Sequence, residues 1–350
     1  MQPQTLIIGA GLTGLTLAYL LQKQGRECLV LEARNRPGGR MLTSRTNDGT
    51  PLELGATWLG QKHTAIVGLL HELDLSTFEQ VTGGRAIYEA ISTSPPQVVE
   101  LPRNDQPSYR IAGGSDRLIR TLEQALAPGR LRYGTAVTAV DTNGAGVTVS
   151  AGTEEFSADR LVSTLPPNLL VSTIDFTPAL PGQLVALARQ TQTWMGESIK
   201  VGLRYAEPFW RKDGRPGGTI FSNVGPVSEM YDHTNVEGTQ FALKGFLNES
   251  YFSLTRAERR NLVVDQLRKY YGDVVDTFTA YEEAVWRNEP FTYAPKNGHV
   301  LPHQHNGHPL FREAYCNGKL IVAGSETAAL YPGYMDGAVR SARRVAELLT

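Results

Sequence analysis

Gly9-x-Gly11-x-x-Gly14, set between an apolar run and a helical repeat, restricts most tightly what this chain can fold into. Thr5–Gly9 reads as a buried strand, and Leu12–Gln24 as a helix with Leu15, Ala18, Tyr19 and Leu21 at helical spacing. Gly25 stops that helix and Glu27–Glu32 reads as a second strand, which together open a parallel βαβ sheet. In such a unit Gly9 allows the tight turn, Gly11 lets the backbone approach a pyrophosphate, and Gly14 lets the helix pack close to the strand. The helix N-terminus, at Leu12 and Thr13, supplies free N–H groups and a positive dipole end. Glu32 closes the second strand, where a carboxylate accepts hydrogen bonds from a ribose diol and repels a 2′-phosphate. The segment is therefore read as a dinucleotide site that does not hold NADP. These residues alone leave FAD and NAD both open.

The remaining pattern fits one sheet assembled from distant pieces of chain. Helices are expected near His63–Leu73, Ser115–Leu126, Thr255–Tyr270 and Met335–Leu349. The third carries a capping-box pattern, Thr255-x-x-Glu258. Ala136–Asp141, Gly146–Ala151 and Glu154–Phe156 read as a β-meander. Leu161–Leu165 reads as a central strand returning to the first sheet, and Lys319–Ala323 as another buried strand. A second β-rich stretch runs from Glu197 to Leu247. Composition shifts over Glu79–Ser108, which holds Thr82-Gly83-Gly84 and Ser94-Pro95-Pro96, with short β-like runs at Ala86–Ile91 and Val98–Leu101.

Bulk numbers exclude several classes. The 34 basic and 35 acidic side chains leave a net charge of −1, so no global field attracts nucleic acid or an anionic membrane. Two cysteines make no disulfide framework, and Cys28 lies in an apolar run as a packed thiol. No stretch approaches ~18 consecutive apolar residues, and the start MQPQTLIIGAG lacks a basic n-region, so a cytoplasmic protein without a membrane span is expected.

The residues beyond the glycine turn resemble a known family. Glu32-Ala33-Arg34-x-x-x-Gly38-Gly39-Arg40-x-x-Thr43 is similar to the extended ADP-binding fingerprint of the flavin-containing amine oxidases. Leu54-Gly55-Ala56-Thr57-Trp58-Leu59-Gly60 resembles that family's flavin-contacting loop, and Ile111-Ala112-Gly113-Gly114-Ser115 its VGGSG turn. Ser198-Ile199-Lys200-Val201, continuing to Glu207-Pro208-Phe209-Trp210, resembles the monoamine oxidase strand with the flavin-facing lysine. Trp286, Gly324-Ser325-Glu326-Thr327 and Gly333-Tyr334-Met335-Asp336-Gly337-Ala338 complete the series.

The resemblance implies an α/β fold with an α+β substrate module: a Rossmann-like FAD-binding domain interleaved with a β-sheet-plus-helix substrate domain. The FAD-binding domain would take residues 1–78, 109–188 and 287–350, and the substrate domain 79–108 and 189–286. It also implies cofactor contacts from Gly9, Gly11, Leu12, Thr13, Gly14, Glu32, Ala33, Arg34, Gly39, Arg40, Gly55, Ala56, Thr57, Trp58, Val137, Trp286, Gly324, Ser325, Glu326, Tyr334, Met335 and Ala338. Lys200 and Tyr334 would be the catalytic pair. FAD should be non-covalent, because the family's linking cysteine is missing from the C-terminal loop. The membrane-anchoring tail of monoamine oxidases is likewise not expected.

Two departures from the family pattern bear on substrate. The helical module that roofs the substrate cavity is replaced by about thirty irregular residues, so the cavity should be shallower or finished by another subunit of a homodimer. Of the two cage tyrosines that flank the substrate amine, Tyr334 matches one, while counting on from Trp286 places Lys296 at the other. Tyr293 or Phe291 could substitute, and Trp58 is a further expected substrate contact. The expected substrate is a small amine or an amino-acid-like molecule, with dioxygen as the second reactant.

Lys200 sits in an alternating strand, which puts Ile199 and Val201 on the face opposite to it. An inward lysine needs something to receive its charge; a solvent-facing lysine is the plainer alternative. His299, His303, His305 and His308 cluster in a Pro- and Gly-bearing loop without a helical frame or an adjacent acid, so no metal site is expected. Two other functions stay open at this level: desaturation of a bulky apolar substrate, and a flavin-holding partner protein without turnover.

Overall fold

The computed structural model describes residues 3–45, 51–82, 84–102, 104–295 and 301–350. Its central sheet grows from the glycine segment. Strand Thr5–Ile8 pairs in parallel with Cys28–Leu31 on one side and Arg160–Ser163 on the other. Leu320–Val322 continues the sheet beyond Arg160–Ser163, and Leu131–Arg132 beyond Cys28–Leu31. Ala314–Tyr315 adds an antiparallel edge. Six strands from residues 5 to 322 thus make one sheet, as the scattered apolar runs suggest.

Both faces of this sheet are buried, which is why its strands are apolar at successive positions rather than alternately. On one face Ile7, Val30 and Val162 pack with Leu15 and Ala18 of the helix Leu12–Lys23, Leu118 of Asp116–Ala125 and Val339 of Met335–Leu348. On the other, Leu6, Ile8 and Leu161 meet Val147 and Val149 of the meander, a sheet that Asp175–Thr177 completes. The helices Pro167–Thr173 and Gly182–Arg189 also close this face. They are too short to show a helical period in sequence.

A second sheet has seven strands, in the order Phe278–Val285, Ile199–Tyr205, Phe241–Leu247, Val227–Asp232, Thr219–Ser222, Gly84–Glu89 and Gln97–Leu101. Ile199, Val201, Leu203 and Tyr205 share one face and pack with Val263, Val264 and Leu267 of the helix Arg256–Tyr271. That helix starts on the expected capping box, with Thr255 and Glu258 each bonding the other's backbone. Period-2 alternation then sends Lys200, Gly202 and Arg204 to the opposite face, and all seven residues of the strand are buried. On that face a Cβ at Gly202 would fall 2.5 Å from the Leu52 side chain, so the ribbon of Thr43–Arg45 and Pro51–Glu53 lies directly against the lysine strand.

Within the segment expected to be irregular, the two β-like runs are strands with bounds shifted to Gly84–Glu89 and Gln97–Leu101. Gly84–Glu89 and Gln97–Leu101 pair antiparallel and extend the seven-stranded sheet at its edge. Gln97–Leu101 pairs with Gly84–Glu89 alone, and Gly84–Glu89 joins the sheet through the distant strand Thr219–Ser222. Among the described residues no helix is long and apolar enough to cross a membrane.

The nucleotide-type turn depends on a close approach. Gly9 has φ +97°, and a Cβ on Gly14 would stand 2.0 Å from the Gly9 carbonyl oxygen. Gly14→Ala is therefore expected to destabilise the fold by about 1–3 kcal/mol despite alanine's helix preference. Gly182→Ala, where nothing lies within 4 Å of the added carbon, should be neutral or slightly stabilising. Thermal unfolding of the two variants against the parent checks the contrast.

Candidate active site

A cavity of about 560 Å³ opens where the carboxyl ends of the central strands meet the face of the seven-stranded sheet that carries Lys200. This is the place where open α/β sheets bind ligands. Gly9, Gly11, Leu12 and Thr13 line one end with Glu32, Ala33 and Arg34. A Cβ built on Gly11 meets nothing within 4 Å, so that glycine is bare toward the cavity and leaves the backbone open to a phosphate group. The Glu32 carboxylate accepts from the Ala10 N–H at 2.8 Å and from the Arg34 N–H at 2.9 Å. Each oxygen is fixed by one backbone donor and keeps capacity for a sugar hydroxyl.

Gly39, Arg40, Ala56, Thr57, Trp58, Val137, Trp286, Ser325, Tyr334, Met335, Ala338 and Lys200 also line the cavity. Gly14, Gly55, Gly324 and Glu326 do not, and each serves from behind. Gly14 provides the close helix packing. Gly55 accepts the Lys200 Nζ on its carbonyl at 2.6 Å, and a Cβ there would strike the Arg40 carbonyl oxygen at 2.3 Å. Glu326, fully buried, holds Arg40 in a bidentate pair at 2.5 and 2.9 Å. Burial works to raise the Glu326 carboxyl, but the Arg40 charge and its hydrogen bonds outweigh that and leave it below the ordinary carboxyl value. Arg40 also donates to the Trp194 carbonyl at 3.2 Å and to the Ser325 hydroxyl at 2.9 Å, so the pair ties the C-terminal loop to two other segments.

Lys200 is the reactive feature of the opposite wall. It is 5% exposed, and burial brings its amine down to about 8, partly opposed by the Glu53 carboxylate. Beside it Phe246 lies 5.3 Å from Nζ. Glu53 itself accepts from the Ser115 N–H and hydroxyl at 2.6 and 2.5 Å and from Thr43; burial nevertheless raises its carboxyl. Trp286 is anchored by its indole N–H on the Leu54 carbonyl at 2.8 Å. Trp58 donates to Gln80 at 3.1 Å.

Tyr334 is the N-cap of Met335–Leu348, and Met335 and Ala338 put the first turn of that helix on the cavity. Unpaired N–H groups and the dipole make this a positive end. Asp336 secures it from behind by accepting from the Ala65 and Ile66 N–H groups at 2.8 and 3.0 Å. The Tyr334 ring has Trp194 at 5.7 Å and His303 at 5.8 Å.

Of the three candidates for the second cage position, two are placed by the structure. Tyr293 is not in the lining; it is 7% exposed and its hydroxyl donates to Glu197 at 2.9 Å. Phe291 lines the cavity beside Arg34, 5.6 Å from the guanidinium and hence toward the Glu32 end. Lys296 and His299 lie outside the described residues. His303 stacks on Trp194 at 3.8 Å, and among the described residues no group of three metal-ligating side chains forms. The lining also includes residues that sequence patterns did not mark, notably Trp194 and Phe246. Phe246 is found once the register is known, because it sits opposite Lys200; Trp194 lies in an irregular segment with no periodic signal.

Comparison with known proteins agrees with this geometry. The chain matches the family model described as "Flavin containing amine oxidoreductase" over residues 12–101 and 90–350. It is 28% identical to a putative flavin-containing monoamine oxidase, AofH, of Mycobacterium tuberculosis over 439 residues, covering 97% of this chain and 95% of the relative. It is 26% identical to the putrescine oxidase of Kocuria rosea over 461 residues, covering 99% and 95%. Those alignments are longer than the 350 residues here, so the relatives carry residues this chain lacks. Its fold matches a solved putrescine oxidase bound to putrescine with TM-score 0.85 at 24% identity, covering 100% and 99% of the two chains. A cyclohexylamine oxidase from Brevibacterium oxydans gives TM-score 0.85 at 20% identity, with the same coverage.

Two variants probe this arrangement. Gly11→Ala should leave thermal stability of the flavin-free protein within about 0.5 kcal/mol yet weaken flavin retention at least tenfold, measured by fluorescence titration. Glu326→Gln should cost about 3–5 kcal/mol at neutral pH, because Arg40 loses its buried partner. The Glu326 carboxyl lies below its unfolded value, so the pair's contribution is complete above the ordinary carboxyl range and is lost as pH falls through the lowered value. The variant's melting temperature should lack that acid-side fall.

Proposed function

This chain belongs to the flavin containing amine oxidoreductase family, and we propose that it is an FAD-dependent oxidase of small monoamines with apolar bodies, holding FAD non-covalently. The amine oxidoreductase class is carried by the family match and by the named relatives. That class sets aside a partner protein without turnover. The finer reading rests on one observation. The cavity that Lys200 lines also carries Trp58, Phe246, Trp194 and Tyr334, and Glu32, at the far end, is the one carboxylate among the described lining residues.

Bound FAD would supply the two-electron oxidation of the C–H beside the amine nitrogen, with dioxygen as the final acceptor and an imine and hydrogen peroxide as products. The chain supplies the rest. Gly9, Gly11 and the N-terminus of Leu12–Lys23 would receive the pyrophosphate, and Glu32 the ribose. The first turn of Met335–Leu348 offers N–H groups to negative charge. Lys200, charged at neutral pH, repels an ammonium and so favours binding of the neutral amine. The aromatic side chains take the apolar body and exclude water from the reacting carbon. A second ammonium, as in a diamine, meets no acid among the described lining residues other than Glu32.

Initial rates over a panel of monoamines and diamines of equal carbon number test the substrate class. kcat/KM should favour monoamines by at least tenfold, and equal or better rates with diamines would overturn this reading. A buried cation in the cavity would also stabilise negative charge developing on dioxygen, so Lys200→Met should keep FAD bound, seen in the visible spectrum, while slowing reoxidation of the reduced protein by air at least tenfold; loss of FAD instead would make the lysine a structural residue.

A further inference from the structure

A second lysine lies beneath the same wall. Lys244 is 0% exposed. It pairs in register with Gly202, two residues along from the Lys200–Phe246 pair, so both amines rise from one face of neighbouring strands. Among the described residues neither Lys200 nor Lys244 has a carboxylate oxygen within 4.0 Å. Both belong instead to one hydrogen-bonded chain. Lys244 Nζ stands 3.2 Å from the Thr57 hydroxyl, that hydroxyl donates to the Gly55 carbonyl at 3.1 Å, and the same carbonyl accepts Lys200 Nζ at 2.6 Å. Lys244 Nζ also lies 3.9 Å from the centre of the Trp58 ring and 4.5 Å from that of Phe246, the ring that flanks Lys200.

The surrounding charges do not support two ammonium groups. Lys200 and Arg110 face Lys244 with like charge, while Glu53 and Glu229 attract it from beyond ion-pair distance. His233 adds none: burial, and then Arg110, Lys244 and Arg204, hold its imidazole well below the ordinary value. Its Nε2 accepts from the Glu53 N–H at 3.4 Å. A buried ammonium without a carboxylate partner is costly even where aromatic faces attract it, and a second on the same hydrogen-bonded chain adds repulsion at low dielectric. Glu53 favours the charge on Lys200. Burial and then Lys200 itself hold the Lys244 amine far below the ordinary lysine value.

We propose that Lys200 and Lys244 share one positive charge, with Lys244 the neutral member: a positioning residue that fixes Thr57 and the back of Trp58 while Lys200 presents the charge to the cavity. The proposal rests on the amine oxidase reading only for the role given to Lys200. As a donor to Thr57, Lys244 sets that hydroxyl's own proton toward Gly55, which holds the turn bearing Trp58. Trp58 is thereby fixed from below by Lys244 and at its N–H by Gln80. Charging Lys244 would keep its bond to Thr57 but set a second positive charge against Lys200.

The test is a pH titration of flavin-loaded protein carrying [6-13C]lysine, followed by NMR, with Lys200→Met and Lys244→Met as assignments. Lys244 should titrate well below the surface lysines, and its step should rise by about one pH unit or more once Lys200 is removed. Lys244→Arg, a permanent cation, should move the Lys200 step down by about one unit, whereas Lys244→Met leaves it in place. A Lys244 step among the surface lysines, or one that ignores Lys200→Met, overturns the proposal. Parent and Lys200→Met decide the matter should the Lys244 variants not fold. Failure to take up flavin counts instead against the reading of the cavity, and the lysine titration is read separately from it.

Discussion

The helix Leu12–Lys23 sits so close to the end of Thr5–Ile8 that a single added carbon on Gly14 would overlap the Gly9 carbonyl oxygen. That approach fixes where the helix N-terminus points, and the rest of the cavity is arranged around it. Thr13 bonds the Ala338 carbonyl at 3.2 Å, which joins this N-terminus to that of the C-terminal helix. The two positive helix ends therefore face one space. Arg40, locked by Glu326, ties the turn after Gly39 to the Ser325 loop and to Trp194.

The seven-stranded sheet supplies the other wall, and its register decides the chemistry. Its apolar face takes up the Arg256–Tyr271 helix, so the opposite face must carry whatever alternates with those residues. Here that means Lys200 and Lys244 beside Phe246. An exposed lysine would cost nothing to place and would do little. Burial brings Lys200 to about 8, close to the pH at which a proton or a charge can be exchanged with a reacting partner. Arg40 and Glu326 show the contrasting case, in which a full ion pair cancels the cost of burial and the function is to hold position.

How far this was legible in sequence depends on the kind of signal. The glycine turn, Glu32 and the strand–helix spacing are local, and they mark the dinucleotide end directly. Lys200 was legible because alternation gives its face and family resemblance gives its neighbour. Phe246, Lys244 and Trp194 were not, since their places depend on strand register or on an irregular loop. Leu161–Leu165 reads as an apolar strand, but nothing local says that it lies beside Thr5–Ile8. The β-like runs around Gly84–Leu101 are legible locally, but their place in the seven-stranded sheet is not, because Thr219–Ser222, which pairs with Gly84–Glu89, lies over a hundred residues away in sequence. Tyr293 showed the opposite error: an aromatic at a plausible spacing, turned instead to Glu197.

The central claim is that this cavity couples amine oxidation to a bound flavin. Anaerobic titration of flavin-loaded protein with a small apolar monoamine, followed in the visible spectrum, tests it most directly. Bleaching should be complete at one amine per flavin, and one hydrogen peroxide should be released per flavin when air is admitted. A flavin that binds yet stays oxidised with every monoamine would contradict it.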